Sequence, residues 1–335
     1  MAHLIFENDR GASITDAGWH GLFTVLPPST PAVGLFSHAF RSLNGEPSTW
    51  RLIDQPAISL VNGTSKESPT HKNLVRSDTG DVVATVGKKF SAVQPAQGYD
   101  ICSSLSRDGN LVIDTCFSMC NGARWVFTCQ GSSFSIGDGD TDVQVPYFVL
   151  ANGNDGTMSL CGIPTTTRVV CNNTLRMALG DRLAFSFRHT GDMTAKVSEM
   201  KAALLHYYDS LADFRTKADT LSHRVWSRED RESFFLGMLE KLLGPVPQNP
   251  TEPEEHRKVS RAQDALGKIV TRFDRESAMP GLSRGSAWLA VNAVTGYIDH
   301  DMKDRSADDT TRFVRRLIDD TSALKVSVFN TALAV

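Results

Sequence analysis

The sequence predicts an α+β fold: a mainly antiparallel sheet with flanking helices, followed by a helical C-terminal part. Three observations predict it. Between about residues 71 and 190, short apolar runs alternate with polar residues and stop at Gly, Asn and Asp turns, the period-two pattern of strands. From Thr194 the period changes, and Val197, Met200, Ala203, Leu204, Tyr207, Tyr208, Leu211 and Phe214 fall on one helical stripe. Before residue 70, Pro27, Pro28, Pro31, Pro47 and Pro56 interrupt any long element. Three segments follow: an irregular N-terminal arm (1–70), an α+β core (71–220) and a helical C-terminal region (221–335).

Within the arm, residues 34–40 and 57–61 read as short strands. Gly18-Trp19-His20-Gly21-Leu22 sets an aromatic and a histidine between glycines, either a Trp plug with a solvated His20 or a catalytic His20. Residues 74–87 read as a strand, a tight turn at 78–80 and a returning strand ending near Gly87. Asp78-Thr79-Gly80 is similar to an aspartic protease loop, but the required second copy is missing. Lys88, Lys89 and Phe90 close this hairpin, and Val93-Gln94-Pro95 leads into a short helix through Leu105.

Residues 110–119 and 124–130 alternate about Asn121-Gly122, the strongest hairpin signal in the chain. Alternation places Leu111, Ile113, Thr115, Phe117 and Met119 on a core face, and Val112, Asp114, Cys116 and Ser118 on a face for solvent or a partner. Residues 131–142 read as a solvated hairpin tip, because their calcium-like aspartates lack a closing Glu and flanking helices. At residues 145–191, three strand-like runs end in polar groups. Asn152, Asn154 and Asp155 follow the first, Asn172, Asn173 and Thr174 the second, Arg188 and His189 the third. Asn172 reads as the N-cap of a short helix through Leu179. Beyond, residues 227–243, 254–273, 284–300 and 308–318 read as helices, with an apolar segment at 326–334.

A net charge of -3 over 335 residues removes the simplest sign of a nucleic-acid partner, although a basic face can sit inside a neutral total. No run reaches the roughly 18 apolar residues of a spanning helix, and the N-terminus lacks a secretion-signal layout, so a soluble cytoplasmic protein without a membrane partner is expected. The six cysteines lie in or beside apolar runs and read as buried reduced thiols. With no CxxC pair or neighbouring histidine, no metal site is predicted, and no motif specifies a cofactor.

Several pieces occur together in one family. Gly18-Trp19-His20-Gly21-Leu22, residues 75–80 with Val86-Gly87 and Val93-Gln94, residues 152–156, residues 168–175, and Arg188-His189-Thr190 carry the likeness. Ala287-Trp288 and residues 292–300 add a Trp, Asn-Ala-Val-Thr and Asp-His pattern. The chain thus resembles a family of phage and plasmid proteins known as domain of unknown function 932. It departs at Asn154, where members often carry His, and at Asn172, where Gln is common. The resemblance implies a phage or plasmid origin and no particular activity.

Three functions follow as expectations. The first is single-stranded nucleic-acid binding, with strand annealing or recombination as its setting, since residues 168–228 hold ten basic against six acidic residues. Its contacts are Arg76, Lys88, Lys89, Asn152, Arg168, Asn173, Arg176 and Arg188, with Trp125 and Phe127 for stacking. The second is an enzyme acting on an anionic substrate, with Asp155, Cys171 and His189 as catalytic groups beside Arg168. The third is a structural or regulatory phage protein that self-associates as a homo-oligomer, with Trp288, Val291 and Tyr297 either at the interface or covering the sheet.

Overall fold

The computed structural model describes residues 13–14, 32–40, 49–109, 111–138, 142–168, 173–176, 185–191, 195–196, 199, 206–278, 284–302 and 320–335. Trp19, His20, Cys171, Asn172 and the helix expected at 308–318 lie outside them. The chain divides into two units that interleave along the sequence. One holds residues 1–132, 147–164 and 181–207, the other 133–146, 165–180 and 208–335.

The first unit begins with β1 (Ser13–Ile14) and α1 (Ala32–Ala39), then β2 (Leu52–Val61), β3 (Thr64–Arg76) and β4 (Val82–Gly87). The strand expected at 34–40 is therefore a helix. The four-residue spacing of Phe36 and Phe40 explains it: Phe36 stacks on Tyr99 at 4.6 Å and Phe40 on Phe127 at 5.5 Å, contacts along one helical side. Strands β2, β3 and β4 form a three-stranded antiparallel sheet. Asn62 and Gly63, both at positive φ (50° and 76°), make the two-residue turn that fits strand twist.

The helix α2 (Pro95–Gly109) precedes β5 (Val112–Met119) and β6 (Arg124–Gln130). These strands meet at a turn of Cys120, Asn121 and Gly122, all at positive φ, at the predicted Asn-Gly. A register shift between Ile113 and Thr115 interrupts the alternation, and both faces of β5 are buried apart from Val112. Asp114 therefore lies inside, accepting a hydrogen bond from the Thr115 hydroxyl at 3.0 Å, instead of on a solvent face. Gly98 of α2 sits against Trp125 and Phe127, with room for no side chain: a Cβ there would meet the Trp125 ring at 2.7 Å. Cys102, Cys116, Cys129 and Cys161 are buried and not in disulfides, whereas Cys120, at the turn, is exposed. Burial, then the neighbouring Cys129, pushes the Cys102 thiol well up.

The later strands are β7 (Phe134–Ser135), β8 (Val143–Gly153), β9 (Leu160–Arg168), β10 (Asn173–Arg176) and β11 (Phe185–Phe187). In the first unit β1, β5, β6, β8 and β9 lie side by side in that order, and β11 adds to β9. In the second unit β7 pairs with the start of β8, and β10 with the end of β9. Asn173–Arg176 is thus a strand where the cap signal predicted a helix. Pairing from Asn173↔Arg168 to Arg176↔Thr165 along the edge of β9 satisfies its backbone.

The second unit continues with α3 (His206–His223), α4 (Arg228–Leu243), α5 (Pro253–Ser277), α6 (Ala287–Gly296) and α7 (Asp320–Ala334). Ser227 caps α4 in a capping box with Asp230, and Gly244 ends it at φ 82°. All ten residues of α6 are buried, and one wider turn, Tyr297–Asp301, prolongs it. Trp288 and Phe329 pack around Phe214 at 6.2 and 5.4 Å. Asp142, expected at a solvated tip, is buried, and its carboxylate accepts from the Trp288 indole at 2.5 Å.

Candidate functional site

Residues 90–94 join β4 to α2, and side chains from elsewhere in the first unit hold this strap. Phe90 bridges Thr190, and the Ser91 N–H donates to the His189 carbonyl at 2.9 Å. The His189 Nδ1 lies 3.0 Å from the Ser91 carbonyl. A carbonyl only accepts, so Nδ1 carries the proton and Nε2 of the neutral ring presents its lone pair. Burial is the main cause that lowers the His189 pKa; Lys196 acts the same way, while the Ser91 and Met158 carbonyls and Asp155 oppose it. The Met158 carbonyl favours protonation without meeting hydrogen-bond geometry, and Nε2 has no hydrogen-bond partner. Phe90 stacks on the imidazole at 4.6 Å and 12°.

Further along, Asn154 holds Val93 twice. Its Oδ1 accepts from the Val93 N–H at 2.9 Å and its Nδ2 donates to the Val93 carbonyl at 3.0 Å, which also accepts from Trp125 Nε1 at 3.2 Å. Gln94 joins the strap to β2 in the same way: Oε1 accepts from the Leu52 N–H at 2.9 Å, and Nε2 donates to the Leu52 carbonyl at 3.1 Å. The strap, β2 and Lys72 of β3 line an open groove of about 440 Å³. Arg51 is exposed beside it, and Lys72 pairs across it with Asp54 at 2.5 Å.

The expected contact residues divide sharply. Lys88, Lys89 and Arg188 are exposed, and Lys88 pairs with Glu67 at 3.1 Å. Arg76 is buried, forked onto Asp78 at 2.8 and 3.0 Å, bonded to Asn121 and lying 4.6 Å over the Trp50 ring. It ties the β3–β4 turn to the β5–β6 turn, so its guanidinium is committed inside the protein. Trp125 and Phe127 have no exposed surface, so the stacking role expected of them has no ring face to use. Asn152 is fully buried, and neither amide atom has a hydrogen-bond partner.

Asp155 accepts from Arg124 Nε at 2.7 Å and from the Thr157 N–H and hydroxyl at 3.0 and 2.6 Å. Burial raises its pKa, but the Thr157 bonds and Arg124 outweigh that and leave the carboxyl below its ordinary range. Its oxygens are thus engaged by Arg124 and Thr157. Arg168, Asn173 and Arg176 enter as backbone positions of the β9–β10 pair, their side chains outside the described residues, as is Cys171. Among the described residues no three His, Cys, Asp or Glu side chains gather as a metal set, and no helix is long and apolar enough to cross a membrane.

Sequence reasoning overlooked Phe90 and Gln94, although Val93-Gln94-Pro95 marked a chain entering a helix. It also overlooked Lys325, buried at 1% exposure and paired with Asp299 at 2.9 Å; the visible signal was a lysine in the apolar run 323–329. Trp288, Val291 and Tyr297, the expected interface, are buried in the second unit. Asn292 is internal too, its amide donating to the Trp288 carbonyl at 2.9 Å. The C-terminal pattern thus builds core.

Comparison with curated proteins finds no match, and neither does comparison with solved structures. The family model described as "Domain of unknown function (DUF932)" matches residues 82–318, from the start of β4 across the strap, Asn154, His189 and the α6 core. With most of its length inside that match, the chain belongs to the DUF932 family.

Proposed function

We propose that the first unit binds single-stranded nucleic acid along the groove beside the strap, with strand annealing in a phage or plasmid setting as its use. One observation carries this reading. Arg51, Lys89 and Arg188 are exposed and have no carboxylate within ion-pair distance among the described residues. Arg51 lines the groove; Lys89 and Arg188 precede Phe90 and His189, the stacked pair at its end. Cations held without a protein counter-charge are available to phosphates, and the half-buried Phe90 offers the ring that Trp125 and Phe127 do not.

Fluorescent oligonucleotides titrated at several salt concentrations test it. Three phosphate contacts on a single strand predict a log-log salt slope of about -2. Replacing Arg51 and Lys89 with Glu flattens that slope and weakens binding. Affinity for single strands no tighter than about 10⁻⁴ M at low salt refutes the reading.

A further inference from the structure

Three polar atoms next to the strap stand unpaired and buried: Asn152 Oδ1, Asn152 Nδ2 and His189 Nε2. Their residues are 0% and 4% exposed. Buried polar atoms are nearly always bonded, and leaving them unbonded is costly, so such groups point to something that bonds them.

Contacts locate them at the same segment. Asn152 is the cross-strand partner of Trp125, so the two side chains leave the sheet on one face, and the Trp125 indole reaches the Val93 carbonyl. His189 grips Ser91 through ring and backbone, two residues earlier. His189 thus holds Ser91, which lines the groove, and Asn152 lies opposite the Trp125 whose indole holds Val93.

Their chemistry is specific. A primary amide offers one acceptor and two donors in a plane, and Nε2 adds an acceptor because Nδ1–H is committed to Ser91. A planar heterocycle with neighbouring N–H donor and ring acceptor matches this set, and Asn is the residue that pairs bidentately with such an edge on a base. Phe90, half-buried at the groove and stacked on His189, is the aromatic ring at this end of the strap.

We infer that Asn152 and His189 form a reading site for one unpaired nucleobase, reached from the groove past the strap. This rests on the nucleic-acid reading and adds to it a contact with the base itself.

The test compares the full chain's affinity for a base-bearing single strand and for an abasic strand of equal length and charge. The base-bearing strand binds at least about tenfold tighter, the discrimination a bidentate contact provides. Asn152→Leu brings that ratio close to one without changing the salt slope. Because Asn152 has no partner in the free protein, Asn152→Leu also leaves the melting temperature within a few degrees of the parent, which an amide needed for folding would not allow. Equal binding of both strands by the parent protein overturns the inference while the groove reading stands, whatever happens to the variant.

If neither strand binds, the groove reading fails by itself, and thermal shift with free nucleosides decides the rest. A shift seen in the parent protein and lost in Asn152→Leu or Asn152→Thr keeps the base site, and no shift overturns it.

Discussion

Replacing Asn154 with Ala tests whether one buried amide holds the strap. Asn154 is fully buried, and both its hydrogen bonds end on Val93. Each is worth about 1 kcal/mol net, and the substitution also strands the Val93 N–H inside the protein, a further cost of about 1–3 kcal/mol. The Val93 carbonyl keeps the Trp125 indole, so that end adds no second orphan. The sum is roughly 3–5 kcal/mol, or about a 150- to 5,000-fold rise in local opening. Hydrogen exchange followed by mass spectrometry on peptides spanning 90–97 reads this directly, with the β5–β6 hairpin as internal reference. Asn154→Asp keeps the acceptor and loses the donor, so it separates the two bonds. Asn154→His places the common family residue there and restores one donor and one acceptor at the wrong spacing, giving intermediate protection. Protection at Val93 that drops less than about threefold in Asn154→Ala refutes the clamp.

Three more predictions follow from the same contacts. Arg76→Ala leaves the Asp78 carboxylate buried without its fork and destabilises by about 3–5 kcal/mol in urea unfolding, while Arg76→Lys recovers only part; the salt dependence of oligonucleotide binding does not change, since Arg76 faces no solvent. Burial holds the folded pKa of His189 below its ordinary 6.5, so the native state binds fewer protons than the unfolded chain in that range. The associated stability is complete above about pH 6.5 and is lost as pH falls through the folded value, so the melting temperature drops on acidification more in the parent protein than in His189→Gln. Lys325→Met removes the ammonium bonded to the buried Asp299 carboxylate in the second unit, costing about 3–5 kcal/mol; adding Asp299→Asn recovers part of it, and a double-mutant cycle by calorimetry measures the coupling.

The candidate site was half legible. Asn152, Asn154, Asp155 and His189 were visible as polar residues ending apolar runs, and the structure brings them into one unit. What the pattern does not carry is partner choice. Asp155 is as compatible with His189 as with Arg124 in sequence, and the sheet register alone, with Arg124 opposite Gly153, puts the guanidinium within 2.7 Å of the carboxylate. Arg76 failed as a phosphate contact for the same reason: nothing in a lone arginine says that Asp78, Asn121 and Trp50 will enclose it. Phe90 and Gln94 escaped notice because each acts through a residue about 40 or 100 positions away, Leu52 and His189.

Local physics alone determined the α+β class, the hairpins at Asn121-Gly122 and 78–80, the cap at Ser227 and the stop at Gly244. Each rests on backbone preferences of a few adjacent residues. Tertiary structure decided the rest. It turned residues 34–40 into a helix because Phe36 and Phe40 found aromatic partners, and 173–176 into a strand because an open edge of β9 lay beside them. It also buried Trp125 and Phe127 and left Asn152 and His189 Nε2 unpaired beside the strap. Burial and pairing depend on which distant segments meet, and a period of two or 3.6 residues carries no information about that.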